Sequence, residues 1–249
     1  MSPRSILNHR RMHYSEFGED GLLLYIIKKI EEKAFLDKFY VEFGAWDGKH
    51  ASNTFVFAEA GYRGIFIEAN AEKFLKLKTN MASFHSVSAV CRLVQAQGND
   101  SLENILKEYD APNHFDILSI DIDGDDYWVW KGLTSFRPKV VVIEVNYKDK
   151  PGVHRINQTG EPFVYGTTGT SITSMNELAE AKGYKLIANI GCNAVFVDSM
   201  YYNLFHSKPV TEFELFTYEG FKLKEISIQE SFRFIMEKIR KNILSAIFI

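Results

Sequence analysis

A glycine-bearing turn and an acidic strand end lie close together in the first third of the chain. The turn, Gly44-Ala45-Trp46-Asp47-Gly48, follows the apolar run Tyr40–Phe43, and Glu68 closes a second apolar run, Gly64–Ile67. Glu68 lies 20 positions after Gly48, the reach of one helix and a return strand. In a doubly wound α/β sheet this arrangement brings the turn and the carboxylate to one crevice, where the carboxylate binds two ribose hydroxyls. The spacing therefore predicts a site for a nucleoside-containing cofactor.

The residues of the turn indicate which cofactor. Trp46 stands where the dinucleotide pattern G-x-G-x-x-G has the glycine that lets the backbone approach a pyrophosphate. A cofactor without a diphosphate does not need that glycine, and S-adenosylmethionine is such a cofactor. Glu42, inside the first strand, suits the ammonium of its amino-acid end. A nicotinamide-dependent oxidoreductase would use the same fold and is the alternative that Trp46 disfavours.

A second constellation of carboxylates follows a later apolar run. Asp121, Asp123, Asp125 and Asp126 repel one another, so a cation, a helix N-terminus or water must compensate them. If the next strand is a neighbour, four oxygen-bearing side chains converge at one edge of the sheet: Asp121, Asp123, Glu144 and Asn146. Such hard ligands suit Mg²⁺ or Mn²⁺. Hydrogen bonding to cofactor and acceptor, or helix capping by Asp125 or Asp126, are the alternatives.

The segment from Tyr147 to Ser171 is long, polar and punctuated by glycines, which marks it as functional, mobile or an ordinary surface loop. His154 is a candidate base, as is Asp123. Arg155 and Lys148 are candidate anchors for an anionic acceptor.

The elements that must position these residues alternate along the chain. After an amphipathic helix over 20–34, strands are predicted over 40–44, 64–68, 86–90, 115–120 and 139–145, with helices over 52–60, 71–79, from 100 onward and over 169–182. Two further strands, 184–188 and 193–197, flank a turn at Gly191. We predict an α/β fold with a Rossmann-like, doubly wound, mostly parallel sheet, a terminal antiparallel strand pair and a helical C-terminal extension.

Two units are expected, a catalytic domain over residues 1–198 and a helical appendage over residues 199–249. Apolar residues line one face of a predicted C-terminal helix between Phe232 and Ile247. That face would pack on its own domain, form a homodimer contact or lie on a membrane surface.

Composition narrows the class of protein. The 249 residues are 46% hydrophobic with a formal net charge of −3, which fits a globular protein and does not suggest nucleic acid as a partner. The chain has no apolar run long enough for a membrane span, and its N-terminus lacks the apolar core of a signal peptide. Cys91 and Cys192 are expected to be buried, reduced thiols, so a cytoplasmic location is predicted.

Several motifs together resemble the FkbM-like group of class I S-adenosylmethionine-dependent methyltransferases. The resemblance spans roughly residues 14 to 198, and its motifs are Ser15-Glu16-Phe17-Gly18-Glu19-Asp20-Gly21, Val41–Gly48, Ser52-Asn53-Thr54, Gly64–Glu68, Ser119–Gly124, Val141–Glu144 and Gly169-Thr170-Ser171. It implies transfer of a methyl group, usually to a hydroxyl oxygen. The relatives act in antibiotic and surface-polysaccharide (capsule) pathways, which suggests a small, sugar or nucleotide-linked acceptor.

The resemblance also implies roles for single residues. Glu42, Gly44, Ala45 and Gly48 would line the methionine end of the cofactor. Glu68 would hold the ribose and Asp121 would lie near the sulfonium. The relatives tend to have Gln where this chain has Glu16.

Metal-dependent catechol-type O-methyltransferases place ligands as Asp121, Glu144 and Asn146 are placed. Their lysine base has no counterpart, because Gly124 occupies that position, which leaves Asp123 or His154 as base. A non-catalytic adaptor that assembles through residues 201–249 is the remaining alternative.

Overall fold

The computed structural model describes residues 3–162, 164 and 167–216. The predicted C-terminal helix between Phe232 and Ile247 lies outside them. A single sheet contains β1 Phe39–Phe43, β2 Arg63–Glu68, β3 Val87–Cys91, β4 Ile117–Ile120, β5 Val140–Glu144, β6 Tyr184–Ile190 and β7 Asn193–Asp198. Its order is β3-β2-β1-β4-β5-β7-β6. The first five strands are parallel, and β7 runs antiparallel to both of its neighbours. The predicted Rossmann-like sheet with a terminal antiparallel pair is confirmed.

Helices cover both faces of the sheet. They are α1 Glu19–Glu31, α2 Phe55–Glu59, α3 Ala71–Met81, α4 Leu102–Glu108, α5 Asp126–Gly132, α6 Ile172–Ala181 and α7 Glu212–Leu215, with 3₁₀ helices at Pro3–His9 and Ser199–Leu204. One core lies between the sheet and α4, α5, α6 and α7, and the other between the sheet and α1, α2 and α3. Because successive strand residues point to opposite faces, Val41 packs in the first core and Tyr40 in the second.

Three helix starts differ from the sequence prediction. The helix predicted from Ser52 begins only at Phe55. The Ser52 hydroxyl donates to the carboxylate of Glu42 and accepts from the Phe55 amide, and the Thr54 hydroxyl also donates to Glu42. The helix predicted from residue 100 begins at Leu102, where Ser101 is the cap and its side chain accepts from the Asn104 amide. The helix predicted from Gly169 begins at Ile172, where Ser171 is the cap and its side chain accepts from the Ser174 amide.

The residues that follow β7 pack against the sheet as far as the structure describes them. Tyr201 lies in the core beside α1, and Leu215, in α7, lies in the opposite core. The division of the chain after residue 198 stays a prediction. Within the described ranges, no helix is long and apolar enough to cross a membrane. Both cysteines are free thiols, and Cys91 is exposed, contrary to the expectation that it is buried.

Candidate functional site

A cleft with a volume of about 350 Å³ opens at the carboxyl ends of β1, β2, β3 and β4. Parallel α/β sheets bind ligands at this edge, because the loops that leave the strands diverge there. The residues that line it include five acids, three bases and a short apolar wall: Glu16, Glu42, Glu68, Asp121 and Asp123; His50, Lys73 and Arg92; Ile67, Leu93, Val94 and Ile122. The structure therefore brings the two sequence constellations together in one cleft.

Gly44 and Glu68 both line this cleft. Gly44 has φ of +75°, and a Cβ built there would lie 1.6 Å from the Asp121 carbonyl oxygen, so only glycine fits between β1 and β4. Glu68 is buried at the end of β2, where Oε2 accepts from the Trp46 amide at 2.8 Å and Oε1 from the Asn70 amide at 2.7 Å. These bonds fix the carboxylate, and each oxygen retains a second lone pair for a ligand.

Glu42 lies in a nest of donors at the end of β1. Its Oε2 accepts from the Ser52 hydroxyl at 3.0 Å and from the Thr54 amide and hydroxyl at 2.9 and 2.5 Å. Burial nevertheless raises the pKa of Glu42 to about 7, and those hydrogen bonds oppose the shift. The charged form of Glu42 is therefore costly in the protein alone, and a ligand cation would stabilise it.

Asp121, Asp123 and Glu144 offer ligand atoms that all lie within 4.8 Å of one another. Asp121 is open to solvent through the cleft mouth, yet protein surrounds it on most sides. Burial raises its pKa well above the usual range, and the neighbouring carboxylates, first of all Asp126, add to the shift. Burial also raises the pKa of Asp123, and the Lys73 ammonium opposes this shift. Three of the four predicted metal ligands are thus assembled at one point.

The other acids after β4 shape the turn. Asp126 is buried and accepts from the Ile122 amide at 3.0 Å and the Gly124 amide at 2.9 Å. Asp125 makes no capping hydrogen bond to α5, and its carboxylate accepts from the Gly160 amide instead. The capping alternative for these two residues is therefore wrong: both hold loops beside the cleft.

Asn146, the fourth predicted ligand, has its amide engaged in the loop after β5. Its Nδ2 donates to the Thr168 carbonyl at 3.1 Å, and its Oδ1 accepts from the Lys148 amide at 3.0 Å. The side chain therefore joins the two ends of this loop, and metal binding by Asn146 stays a prediction.

Two of the predicted cofactor residues do not line the cleft. Ala45 is buried in the core beside α1. Gly48 faces α3, where an added Cβ would lie 2.6 Å from Leu77. Both residues shape the turn from behind, and direct contact of either with a cofactor stays a prediction that the cleft lining does not support.

The structure does not bring the predicted loop residues to the cleft either. His154 is exposed, and its Nδ1 lies 3.3 Å from Glu177 on α6. Arg155 faces buried Asp149 at 3.1 Å, an ion pair without hydrogen-bond geometry, and donates to the Thr167 carbonyl. Lys148 is exposed and outside the cleft lining. These positions give no support to His154 as a base or to Lys148 and Arg155 as acceptor anchors.

Sequence reasoning missed several residues of the cleft. Lys73, from α3, places its ammonium 4.3 Å from the centre of the Trp46 ring, and His50 meets the same ring edge-on at 5.0 Å. Trp46 itself has φ of +49°, a strained conformation for a bulky residue. Arg92 follows β3 and pairs with Glu108 at 2.6 Å. The sequence held one signal for such residues, their position: a residue that directly follows a parallel strand lies at this edge of the sheet.

Comparisons with known proteins agree with the fold and go no further. No protein-family model matches the chain, and no curated protein matches it. The chain is similar in structure to an O-methyltransferase from Bacillus cereus in complex with SAH, with a TM-score of 0.48 and 19% identity over 79% of this chain and 90% of that one. A S-adenosylmethionine-dependent methyltransferase from Clostridium acetobutylicum gives a TM-score of 0.46 and 10% identity over 78% and 94%.

Magnesium protoporphyrin IX methyltransferase from Synechocystis with bound SAH gives a TM-score of 0.44 and 9% identity over 73% of this chain and 81% of that chain. Identities and scores this low carry no functional argument, so the function proposed below rests on the cleft.

Proposed function

We propose that this protein transfers the methyl group of S-adenosylmethionine to an oxygen of an acceptor. The observation that carries the proposal is the buried carboxylate of Glu68, which faces the cleft beside the Gly44 turn. In this position it would accept hydrogen bonds from both ribose hydroxyls. Trp46 stands at the position of the glycine that a diphosphate would need, and Glu42 would supply a partner for the ammonium of the cofactor. The apolar side chains of Leu93 and Ile122 would flank the adenine.

The chemistry requires alignment and one proton acceptor. In an in-line displacement, the acceptor oxygen forms a bond to the methyl carbon while the carbon–sulfur bond breaks. The electron pair of the broken bond stays on sulfur, which becomes a neutral thioether, and the acceptor proton leaves to a base. Asp123 lines the cleft, and its raised pKa makes it a better base than an ordinary carboxylate. We therefore assign the proton to Asp123.

A divalent cation would fit the same edge. Asp121, Asp123 and Glu144 would hold Mg²⁺ or Mn²⁺, because their carboxylate oxygens are the donors that these ions prefer. A bound cation would lower the pKa of an acceptor hydroxyl. In the metal-bound form Asp123 would be a ligand, and the acceptor proton would pass to water. The dependence of activity on added Mg²⁺ or Mn²⁺ distinguishes the form with Asp123 as the base from the form with Asp123 as a metal ligand.

The finer features of the proposal come from the sequence resemblance. An FkbM-like enzyme would methylate a small, sugar or nucleotide-linked acceptor in surface-polysaccharide (capsule) or secondary-metabolite biosynthesis. Such an acceptor would approach over the ends of β4 and β5, where the acids lie. Cytoplasmic location and dimerisation through the C-terminal residues stay predictions.

The first test is isothermal titration of the purified, metal-stripped protein with S-adenosylhomocysteine. We expect micromolar binding that Glu68→Gln weakens at least tenfold, because the amide offers a donor where the ribose needs an acceptor. Glu72→Gln is the matched control, since it removes the same charge from an exposed position four residues away. Titration repeated with Mg²⁺ or Mn²⁺, and with Asp123→Asn, tests the carboxylate cluster.

Two other functions predict different results. An oxidoreductase would bind NAD⁺ or NADP⁺ and ignore S-adenosylhomocysteine. An adaptor without a cofactor would bind neither, and we would then abandon methyl transfer. Retention of full affinity by Glu68→Gln would remove the observation on which the proposal rests.

A further inference from the structure

Glu16 is an exposed acid between two buried neighbours at the edge of the cleft. Ser15 and Phe17 are 4% and 2% exposed, whereas Glu16 faces the cleft itself. Phe17 packs against the turn at Gly191, where a Cβ would lie 2.7 Å from its ring. The backbone on both sides of Glu16 is thus held in place, and Glu16 lines the cleft.

Buried carboxylates hold this segment in place. Asp20 accepts from the amides of His13, Tyr14 and Ser15 at 3.0, 2.6 and 3.2 Å. It also accepts from the Ser15 hydroxyl at 2.7 Å. This set of bonds ties the segment before Glu16 to the first turn of α1.

Glu19 performs the same task on the other side of Glu16. Its Oε2 accepts from the Phe17 amide at 2.8 Å, and its Oε1 accepts from Asn193 of β7 at 2.8 Å. Burying two carboxylates is costly unless hydrogen bonds satisfy them. A simple surface loop would not require either group, so the segment is built to fix the position of what it carries.

The position of Glu16 places it among like charges. Glu42, Asp121 and Asp123 line the same cleft, and repulsion from Glu16 contributes to the raised pKa of Asp121. Within the part of the chain that the structure describes, no ion pair or hydrogen bond to the Glu16 carboxylate occurs. The basic residues of the cleft are occupied elsewhere, Lys73 over Trp46 and Arg92 against Glu108.

We propose that Glu16 makes the cleft select the cationic form of the cofactor, S-adenosylmethionine, over its neutral product, S-adenosylhomocysteine. This inference rests on the proposed function. The two molecules differ by a methyl group and one positive charge on sulfur. A carboxylate that lines the cleft near Asp121 attracts that sulfonium charge, and the product lacks it. Glu16 thus favours exchange of spent product for fresh cofactor after each turnover.

The test compares affinities for the two molecules in the full-length protein. S-adenosylmethionine, S-adenosylhomocysteine and sinefungin, which carries an amine in place of the methylated sulfur, are titrated into wild type and Glu16→Gln. We expect Glu16→Gln to weaken S-adenosylmethionine and sinefungin binding about tenfold and S-adenosylhomocysteine binding less than twofold. Glu31→Gln, which removes the same charge from an exposed site on α1, should change none of the three.

Each outcome decides the matter. An equal loss for all three molecules would mean that Glu16 only supports the fold of the segment, and no loss would mean that its charge is not felt. Either result overturns the inference while leaving methyl transfer intact. Glu16→Ala and thermal unfolding of each variant guard against a folding defect. If wild type binds none of the molecules, the proposed function fails and this inference fails with it.

Discussion

Gly44 shows how one residue couples the fold to the site. It has φ of +75° and lies where β1 and β4 approach so closely that the Asp121 carbonyl fills the space of a side chain. The close approach also forms the floor of the cleft, since Gly44 and Asp121 both line it. A larger residue would force these central strands away from each other.

We predict that Gly44→Ala destabilises the protein by about 3 kcal/mol or more, because the new Cβ meets backbone that cannot move aside. Gly61→Ala is a close control: its φ of +80° is similar, and nothing lies within 4 Å of its Cβ. That variant should cost only about 1 kcal/mol, the conformational penalty alone. Urea unfolding measures both. Equal costs would show that the contact with Asp121 is unimportant.

Glu42 gives the stability of the protein a dependence on pH. Burial raises its pKa from 4.5 to about 7, so the folded state binds this proton more tightly than the unfolded state. Stability from this group is therefore greatest below about pH 4.5 and is lost as the pH rises through about 7. A shift of one pKa unit corresponds to about 1.36 kcal/mol, so the loss of stability amounts to roughly 3 kcal/mol.

We predict that Glu42→Gln removes this component. The free energy of unfolding of wild type relative to Glu42→Gln should fall by roughly 3 kcal/mol between about pH 4.5 and pH 8. Urea titrations at several pH values measure it, with Glu31→Gln as the variant that should follow wild type. A constant difference across the range would mean that Glu42 titrates normally.

At the scale of elements, buried charges join three strands at the edge opposite the cleft. The Lys139 ammonium lies 2.8 Å from Asp116 and 2.9 Å from Asp37. Asp116 also accepts from the Phe39 amide at 3.0 Å, and it is fully buried. The network thus holds the amino ends of β1, β4 and β5 in register.

Removing one partner of this network should be expensive. We predict that Asp116→Ala costs about 3–5 kcal/mol, because it removes the fully buried partner of the Lys139 ammonium and the acceptor of the Phe39 amide. The double variant Asp116→Leu with Lys139→Met should recover some of that loss. Binding of S-adenosylhomocysteine, measured where each variant is folded, should be unchanged, since the cleft lies at the other edge. A weaker cofactor affinity would contradict this separation of roles.

The sequence predicted the positions of the strands better than it predicted which side chains lie close together in space. All seven strands begin within two residues of their predicted starts, because apolar runs buried on both faces are a local signal. Glu42, Gly44, Glu68, Asp121 and Asp123 meet in the cleft because strand ends share one edge. No comparable rule predicts where the side chain of a loop residue lies.

His154 and Arg155 illustrate the limit. Their residue types suit catalysis, but a loop's direction depends on distant partners, here Glu177 and Asp149. Lys73 was missed for the converse reason: on a helix face it looks like any solvated lysine, and only tertiary packing brings it over Trp46. The late start of the helix after Gly48 also involves tertiary contacts, since the Ser52 and Thr54 hydroxyls donate to Glu42 of β1.

At the scale of the whole molecule, residues beyond β7 complete both cores. Tyr201 is 8% exposed on one face of the sheet and Leu215 is 2% exposed on the other. Glu212 accepts from the Thr173 hydroxyl at 2.9 Å and from Asn176 at 3.0 Å, both on α6. His206 lies within hydrogen-bond distance of the Ile187 carbonyl, 2.9 Å away. Residues 199–216 thus contact both faces of the sheet and α6.

We therefore predict that a chain ending at residue 198 is less stable than the full chain by roughly 4 kcal/mol or more. Burial of each large apolar side chain contributes about 1.5–3 kcal/mol, and the polar contacts to α6 add to this. A chain ending at residue 216 keeps Tyr201 and Leu215, so it separates their contribution from that of residues 217–249. Urea unfolding of the three chains measures the difference. A chain ending at residue 198 that unfolds at the same urea concentration as the full chain would instead support a domain boundary there, and residues 199–216 would then be an appendage that the sheet does not need.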